Sequence, residues 1–243
     1  MGHGKLISPV LLTTAISPPA NFPLLKMTDA SSRLIATKAS VFFWALQGAT
    51  RIVIADATGA NVLTDDDIVD LNNMNVQVEQ IKYQQNIDEI ISRGKGYAEG
   101  KLLAFALANS AMIKSSKSFF KCTGKVYCRN FKSVIGLIET NNISSIFWRA
   151  DNFQDDLVDT RFYYCEKKLF LEKIFPAYET SNDFLGPTGY AEACCYKAVH
   201  AHLRPVRAVR PLLSGHSGST SEQYQELSFG DFDNMFPCWI ETH

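Results

Sequence analysis

The sequence predicts a single α/β domain built on a mainly parallel sheet with helices on both faces. Three observations predict it. Apolar runs of strand length alternate with helix-forming segments of about 10 to 15 residues, the order that parallel sheets require. The 243 residues are 46% hydrophobic and 20% charged, enough to bury roughly 70% of the unfolded surface in one core. No internal repeat or low-complexity tract interrupts the order.

The stretch from Leu6 to Thr13 reads as the first strand, halted by Thr13, Thr14 and the Pro18-Pro19 pair. Its apolar run of about seven residues is far short of the roughly 20 that cross a bilayer. It also lacks a small-residue cleavage site, so the expected location is the cytoplasm. Asp29 is placed to cap a helix reaching about Gln47, with Leu34, Ile35, Ala39, Phe42, Phe43 and Leu46 near helical spacing and Gly48 as its stop. Arg51 to Ala55 reads as a second strand, Thr64 opens a short acidic helix over 65–71, and a third strand runs from Val76 to about Tyr83. Residues 93–97 read as a glycine-eased loop, and 98–110 as a helix of strong helix formers.

The pattern continues with a strand over 118–122, a helix over about 130–139, strands over 144–148 and around 161–164, and a helix over 166–174. A last helix covers 190 to about 202. The chain divides into a main domain over 1–203 and a tail over 204–243 that packs on the same domain, its turns marked by Pro205, Pro211, Gly215, Gly218 and Gly230.

Composition excludes some classes of function. A formal net charge of -1 and a pI of about 6.5 leave no basic field to hold a polyanion, so nucleic acid is not an expected partner. The six cysteines lack Cys-x-x-Cys spacing and read as buried, reduced thiols. No metal-ligand cluster is apparent among them.

In an open parallel sheet, ligands bind beyond the carboxyl ends of the strands. Those positions hold Thr13 and Thr14, then Asp56, then Lys95 and Gly96, then Thr123, Gly124 and Lys125, and later Asp159 and Arg161. Hydroxyls and a carboxylate suit the edge of a base and the hydroxyls of a ribose. A turn-capping role for Asp56 fits equally, because Asp hydrogen-bonds local backbone. Gly94-Lys95-Gly96 before a helix combines pliant backbone, a cation and a helix N-terminus, which favour a phosphate. It matches neither the Walker pattern nor the dinucleotide fingerprint. Asp159 and Arg161, two apart on a strand, share a face and suit either a ligand clamp or a surface ion pair.

Several of these motifs together resemble a group of bacterial glycosyltransferases from surface-polysaccharide (capsule and O-antigen) gene clusters. They are Leu11-Leu12-Thr13-Thr14, Ile54 to Gly59, Gly94 to Leu102 through Ala108-Asn109-Ser110, Phe119 to Lys125, Asp159-Thr160-Arg161-Phe162 and Gly215-His216-Ser217-Gly218. The resemblance covers most of the chain. It implies a GT-A-like fold for 1–203 and an enzyme that moves a sugar from a nucleoside diphosphate donor to a hydroxyl of a glycan or lipid-linked glycan.

In GT-A enzymes the fourth strand usually ends in Asp-x-Asp, whose carboxylates hold a divalent metal. Here that place reads Lys121-Cys122-Thr123-Gly124-Lys125. The expectation is transfer without a metal cofactor, with Lys121, Lys125 and Lys95 neutralising the leaving diphosphate. The resemblance puts a general base between Asn182 and Glu192, with Asp183 or Glu192 as the carboxylate. Glu192 at a helix start equally complements the dipole. It also implies that His216 folds over the donor phosphates as part of a lid. Arg204, Arg207 and Arg210 suit peripheral contact with anionic lipid. A non-catalytic binding subunit and a nucleotidyltransferase are the competing functional classes.

Overall fold

The computed structural model describes residues 8–19, 25–150, 156–218, 223–225 and 235–242. Leu6, Ile7, Asp155, Ser219, Thr220 and Gly230 lie outside the described residues. The chain runs through β1 (Val10–Thr14), α1 (Ala30–Leu46), β2 (Arg51–Asp56), α2 (Asp65–Asn73), β3 (Gln77–Lys82), α3 (Ile87–Arg93), α4 (Lys95–Asn109) and α5 (Ala111–Lys114). It continues with β4 (Ser118–Thr123), β5 (Val126–Cys128), α6 (Phe131–Thr140), β6 (Ile143–Arg149), β7 (Val158–Glu166), α7 (Lys167–Leu169) and α8 (Phe175–Thr180). Last come α9 (Ala191–His202), β8 (Arg204–Val209), β9 (Leu213–His216), β10 (Gln223–Gln225) and β11 (Met235–Thr242).

Local chemistry sets several of these boundaries. The Asp29 carboxylate accepts from the Ser32 amide at 2.6 Å and opens α1, and Gly48 just beyond its end takes φ +98°, which a side chain would resist. Thr64 and Asp67 form a reciprocal capping box at the start of α2. Trp44 and Ser40 of α1 both donate to the Val126 carbonyl, at 2.9 and 2.8 Å. These two bonds seat α1 on β5.

The main sheet has eight strands in the order β3-β2-β1-β4-β7-β6-β11-β8. Pairing makes β3, β2, β1, β4, β6 and β8 point one way and β7 and β11 the other. Six of the eight strands thus share one direction, as the sequence predicts, with parallel pairing from β3 to β4 and antiparallel pairing from β4 to β8. Alternation divides the sheet's side chains between two cores. Leu12, Ile54, Phe120, Cys122 and Phe162 pack with Val41 and Trp44 of α1 and Phe131 and Val134 of α6. Leu11, Val53, Phe119, Tyr163 and Cys165 pack with Leu102 and Leu103 of α4, Tyr178 of α8 and Cys195 of α9. Helices therefore cover both faces.

Two parts of the chain depart from the sequence reading. The polar stretch before residue 94 forms α3, and α4 begins at Lys95 rather than near Ala98, so the expected loop over 93–97 shrinks to Gly94. Gly96 and Gly100 lie inside α4 because they are contact points: a Cβ at Gly96 would stand 2.9 Å from the Ala191 Cβ, and one at Gly100 2.3 Å from the Tyr178 Cβ. The tail, in turn, supplies β8 and β11 to the main sheet, while β9 and β10 join β5 in a second, three-stranded sheet.

The arginines of the tail lie along and just after β8, an edge strand, with Val206 and Ala208 turned to the core. Alternation sends Arg207 to the face opposite Arg204. Arg207 donates to the Met235 carbonyl at 3.5 Å, and the Arg210 guanidinium lies 4.8 Å from the Phe236 ring centroid. The three do not form one basic face. No helix among the described residues is long and apolar enough to cross a membrane.

The closeness of α4 to α8 yields a first prediction. Gly100→Ala should overpack the contact with Tyr178 and cost about 1–3 kcal/mol, measured as a lowered midpoint in urea unfolding at unchanged slope. A variant as stable as the parent would mean that α8 yields to the added methyl.

Candidate active site at the strand ends

The parallel strands β1, β2 and β4 end side by side, and polar side chains collect there on both faces of the sheet. On the α4 side the centre is Lys121. Its side chain has no exposure, and its ammonium lies 2.7 Å from Glu99 Oε1. It also donates to the Thr160 carbonyl and, at 3.5 Å, to Thr123 Oγ1. Thr13 donates to the same Glu99 oxygen at 2.7 Å. The expected diphosphate role of Lys121 gives way here to an internal one, because a buried ammonium needs a counter-charge and Glu99 supplies it.

Glu192 stands next to this group. Its Oε1 accepts from Thr160 Oγ1 at 2.8 Å. Burial raises its carboxyl above the ordinary glutamate value, and the negative Glu99 adds to that; its own backbone amide, Thr160 and Lys95 pull the other way. The tight Gly96–Ala191 contact brings the start of α9 against α4 and so fixes Glu192 near Glu99 and Lys95. Behind them the hydroxyls of Tyr163 and Tyr178 are buried next to each other, and burial pushes both phenols well above their ordinary value.

Asp183 has a different setting. Its carboxylate accepts from the Lys95 amide at 2.8 Å, capping α4 from outside the helix where Gly94 brings no side-chain cap. Gly94, at φ +95°, would place a Cβ 2.5 Å from that carboxylate. The phosphate expected at Gly94-Lys95-Gly96 is therefore replaced by the protein's own anion. Gly96 is buried against Ser181 and Ala191, and the exposed Lys95 side chain reaches the field of Glu192.

On the α1 side, Asp56 is fully engaged. One oxygen accepts from the Ile16 amide at 2.9 Å; the other takes the Thr58 amide, the Thr58 hydroxyl and the Ala60 amide at 2.8, 2.6 and 3.0 Å. It ties the turn after β1 to the turn after β2, and three of its four bonds fall on one oxygen, so the carboxylate is committed to holding these turns. Thr14 lies 3.4 Å from Thr37 of α1. Gly124 is a close-approach glycine, since a Cβ there would lie 2.8 Å from both the Thr13 carbonyl oxygen and the Thr14 Cβ.

Two buried cations remain on this side. Arg33 donates to the carbonyls of Ala15 and, at 2.8 Å, Met27. Lys125 is 4% exposed. Burial, helped by the Arg33 charge and opposed by Asp56 and Glu99, lowers the Lys125 ammonium to a pKa of about 7. Among the described residues no carboxylate pairs with it. A Cβ at Gly218 would come within 3.1 Å of Lys125 Nζ and 3.3 Å of Arg33 Nη1, so the two heads are neighbours under one glycine.

Lys125 and His216 line a cleft of about 540 Å³ between α1 and the three-stranded sheet. Its walls are largely apolar, with Ile35, Ala39 and Phe43 on one side and Tyr127 and Tyr224 on the other. The His216 amide donates to the Lys125 carbonyl at 3.0 Å. Asp159 and Arg161 form a close pair, 2.6 Å between Oδ2 and Nη2, and the guanidinium lies 4.8 Å from the Tyr224 ring centroid. Lys125 and His216 are thus brought together, while Lys121 and Lys95 are on the α4 side with Glu192.

Glu99 and Arg33 are the functional-site residues that sequence reasoning missed. No group of three or more His, Cys, Asp or Glu suited to a metal is found among the described residues. No protein-family model matches the chain, and a search of curated proteins gave no match. Among solved structures, HddC from Yersinia pseudotuberculosis is similar at 16% identity and a TM-score of 0.36, over 67% of this chain and 78% of its own.

The buried pair gives a second prediction. Glu99→Ala should cost about 3–5 kcal/mol by stranding the Lys121 charge, and Lys121→Met with Glu99→Leu should recover most of it in denaturant unfolding. Asp183→Ala should cost only about 1 kcal/mol, the value of a lost cap. A mild effect of Glu99→Ala would show that Lys121 finds another partner.

Proposed function

We propose that the chain is a nucleotide-sugar-dependent glycosyltransferase that transfers to a hydroxyl of a surface glycan, with side-chain cations in place of a divalent ion at the leaving diphosphate. The observation that carries this is Lys125. It is buried just after a parallel strand, beside a second buried cation, and lines a cleft of the size a nucleotide sugar needs. A buried charge with no carboxylate is costly, and an incoming diphosphate would supply the missing charge. Donors fixed in place stabilise a developing anion without reorganisation.

Glu192 is the proton acceptor in this reading. It is held by Thr160, its raised pKa suits a base, and it begins the helix that Gly96 draws towards the strand ends. Asp183, the other carboxylate in this region, is committed to α4. Arg161, clamped by Asp159, faces Tyr224 at the edge of the cleft, where it suits the donor sugar or acceptor.

A thermal-shift screen of nucleotide sugars tests the donor: at 100 times its dissociation constant a true donor stabilises by about 2.7 kcal/mol. Transfer and donor hydrolysis should persist in EDTA; strict metal dependence would favour nucleotidyl transfer. Nucleotide binding with no turnover would indicate a binding subunit.

Glu192→Gln should lower kcat by about 10²–10⁴, with Asp183→Asn near the parent. The rate should fall as pH drops through a value above the ordinary glutamate range, because Glu192 works ionised and burial raises its pKa. An acidic limb unmoved by Glu192→Gln would remove it as the base.

A further inference from the structure

Lys125 sits where its charge is expensive. It lies in the turn between β4 and β5, with Arg33 of α1, Asp56 at the end of β2, Glu99 of α4 and His216 of β9 as the charged or titratable groups around it. Arg33 has the same sign and is held by the Ala15 and Met27 carbonyls. Asp56 is held by Ile16, Thr58 and Ala60, and Glu99 by Lys121 and Thr13. None of these gives the ammonium a bonded anion, yet the residue lines the cleft.

We propose that the cleft is a proton-coupled anion site, in which Lys125 takes up one proton from solvent as a phosphate-class anion enters beside it and gives it back as the anion leaves. The inference rests on the nucleotide-sugar reading only for the identity of the anion, a nucleoside diphosphate. With the cleft empty, burial and Arg33 hold the lysine near half protonation at neutral pH. An anion at the cleft side of Lys125 opposes both effects and restores the charge. Above pH 7 the empty protein has lost that proton, so binding must include its return, and affinity falls by up to about tenfold for each further pH unit. The donor would thus bind more tightly, and its diphosphate product leave more slowly, on the acid side of neutrality.

Isothermal titration with uridine, guanosine, cytidine and adenosine diphosphates near pH 8 tests this. Their last phosphate ionisation, around pH 6, is complete there. Two buffers of different ionisation enthalpy report the proton count. The expected result is uptake approaching one proton in the parent and none in Lys125→Arg, which still binds. Lys125→Met should bind at least tenfold more weakly.

A parallel chemical-shift titration of the Gly218 and His216 amides uses sulfate, which does not titrate in this range, at about pH 6 and about pH 8. Sulfate should bind more weakly at the higher pH in the parent and equally in Lys125→Arg. Diphosphate binding without proton uptake, or uptake that survives Lys125→Arg, overturns the inference and leaves the nucleotide-sugar reading intact. Sulfate binding with the expected pH dependence, but no response to any nucleoside diphosphate, sinks that reading and leaves the proton coupling standing.

Discussion

Two lysines four residues apart, on either side of one strand end, meet opposite electrostatic conditions, and most of the candidate site is arranged around that difference. Lys121 points to the α4 side and is neutralised by Glu99, while Lys125 points to the α1 side and meets Arg33. A fully buried ammonium is tolerable only with a counter-charge or as the neutral base. The first solution fixes α4 against β4. The second leaves a position whose charge depends on what occupies the cleft.

Much of the fold was legible because periodicity and capping agree along the first half of the chain. Asp29, Thr64, the Ile/Val run of β2 and the helix formers of α4 each favour the structure they adopt. The start of α4 is hidden in the sequence because Gly94-Lys95-Gly96 has loop composition, and composition cannot tell a turning glycine from a contact glycine. Gly94 turns the chain at φ +95°; Gly96 is a helical residue whose missing side chain admits Ala191. The strands of the tail escaped for a related reason. β8 and β11 contain Pro205 and Pro237 and gain their order from pairing with each other and with β6, which is non-local information.

The candidate site was partly legible. The rule that ligands sit beyond parallel strand ends led to Thr13, Asp56 and Lys125, but not to how each is used, since that depends on partners far along the chain. Asp56 binds Ile16, and Asp183 binds Lys95 across 88 positions. Two misses had a local signal. Lys121 lies in a run of Phe119, Phe120 and Cys122, so its side chain had to be buried and a carboxylate had to face it. Arg33 shares helical spacing with Thr37, Val41 and Trp44, the buried stripe of α1, which places a cation among core residues.

An ion pair such as Lys121–Glu99 makes a poor receptor, because a ligand must first break a contact that the fold already satisfies. A buried lysine that can shed its proton behaves otherwise. The empty cleft avoids most of the cost of an uncompensated charge, and the ammonium forms when an anion arrives to balance it. Arg33 contributes to both states: beside the empty cleft its charge favours the neutral amine, and beside a bound anion it adds attraction. A guanidinium at position 125 would lack the first of these states, since arginine stays protonated under all ordinary conditions. Lysine is thus the side chain that lets one buried position serve both an empty and an occupied cleft.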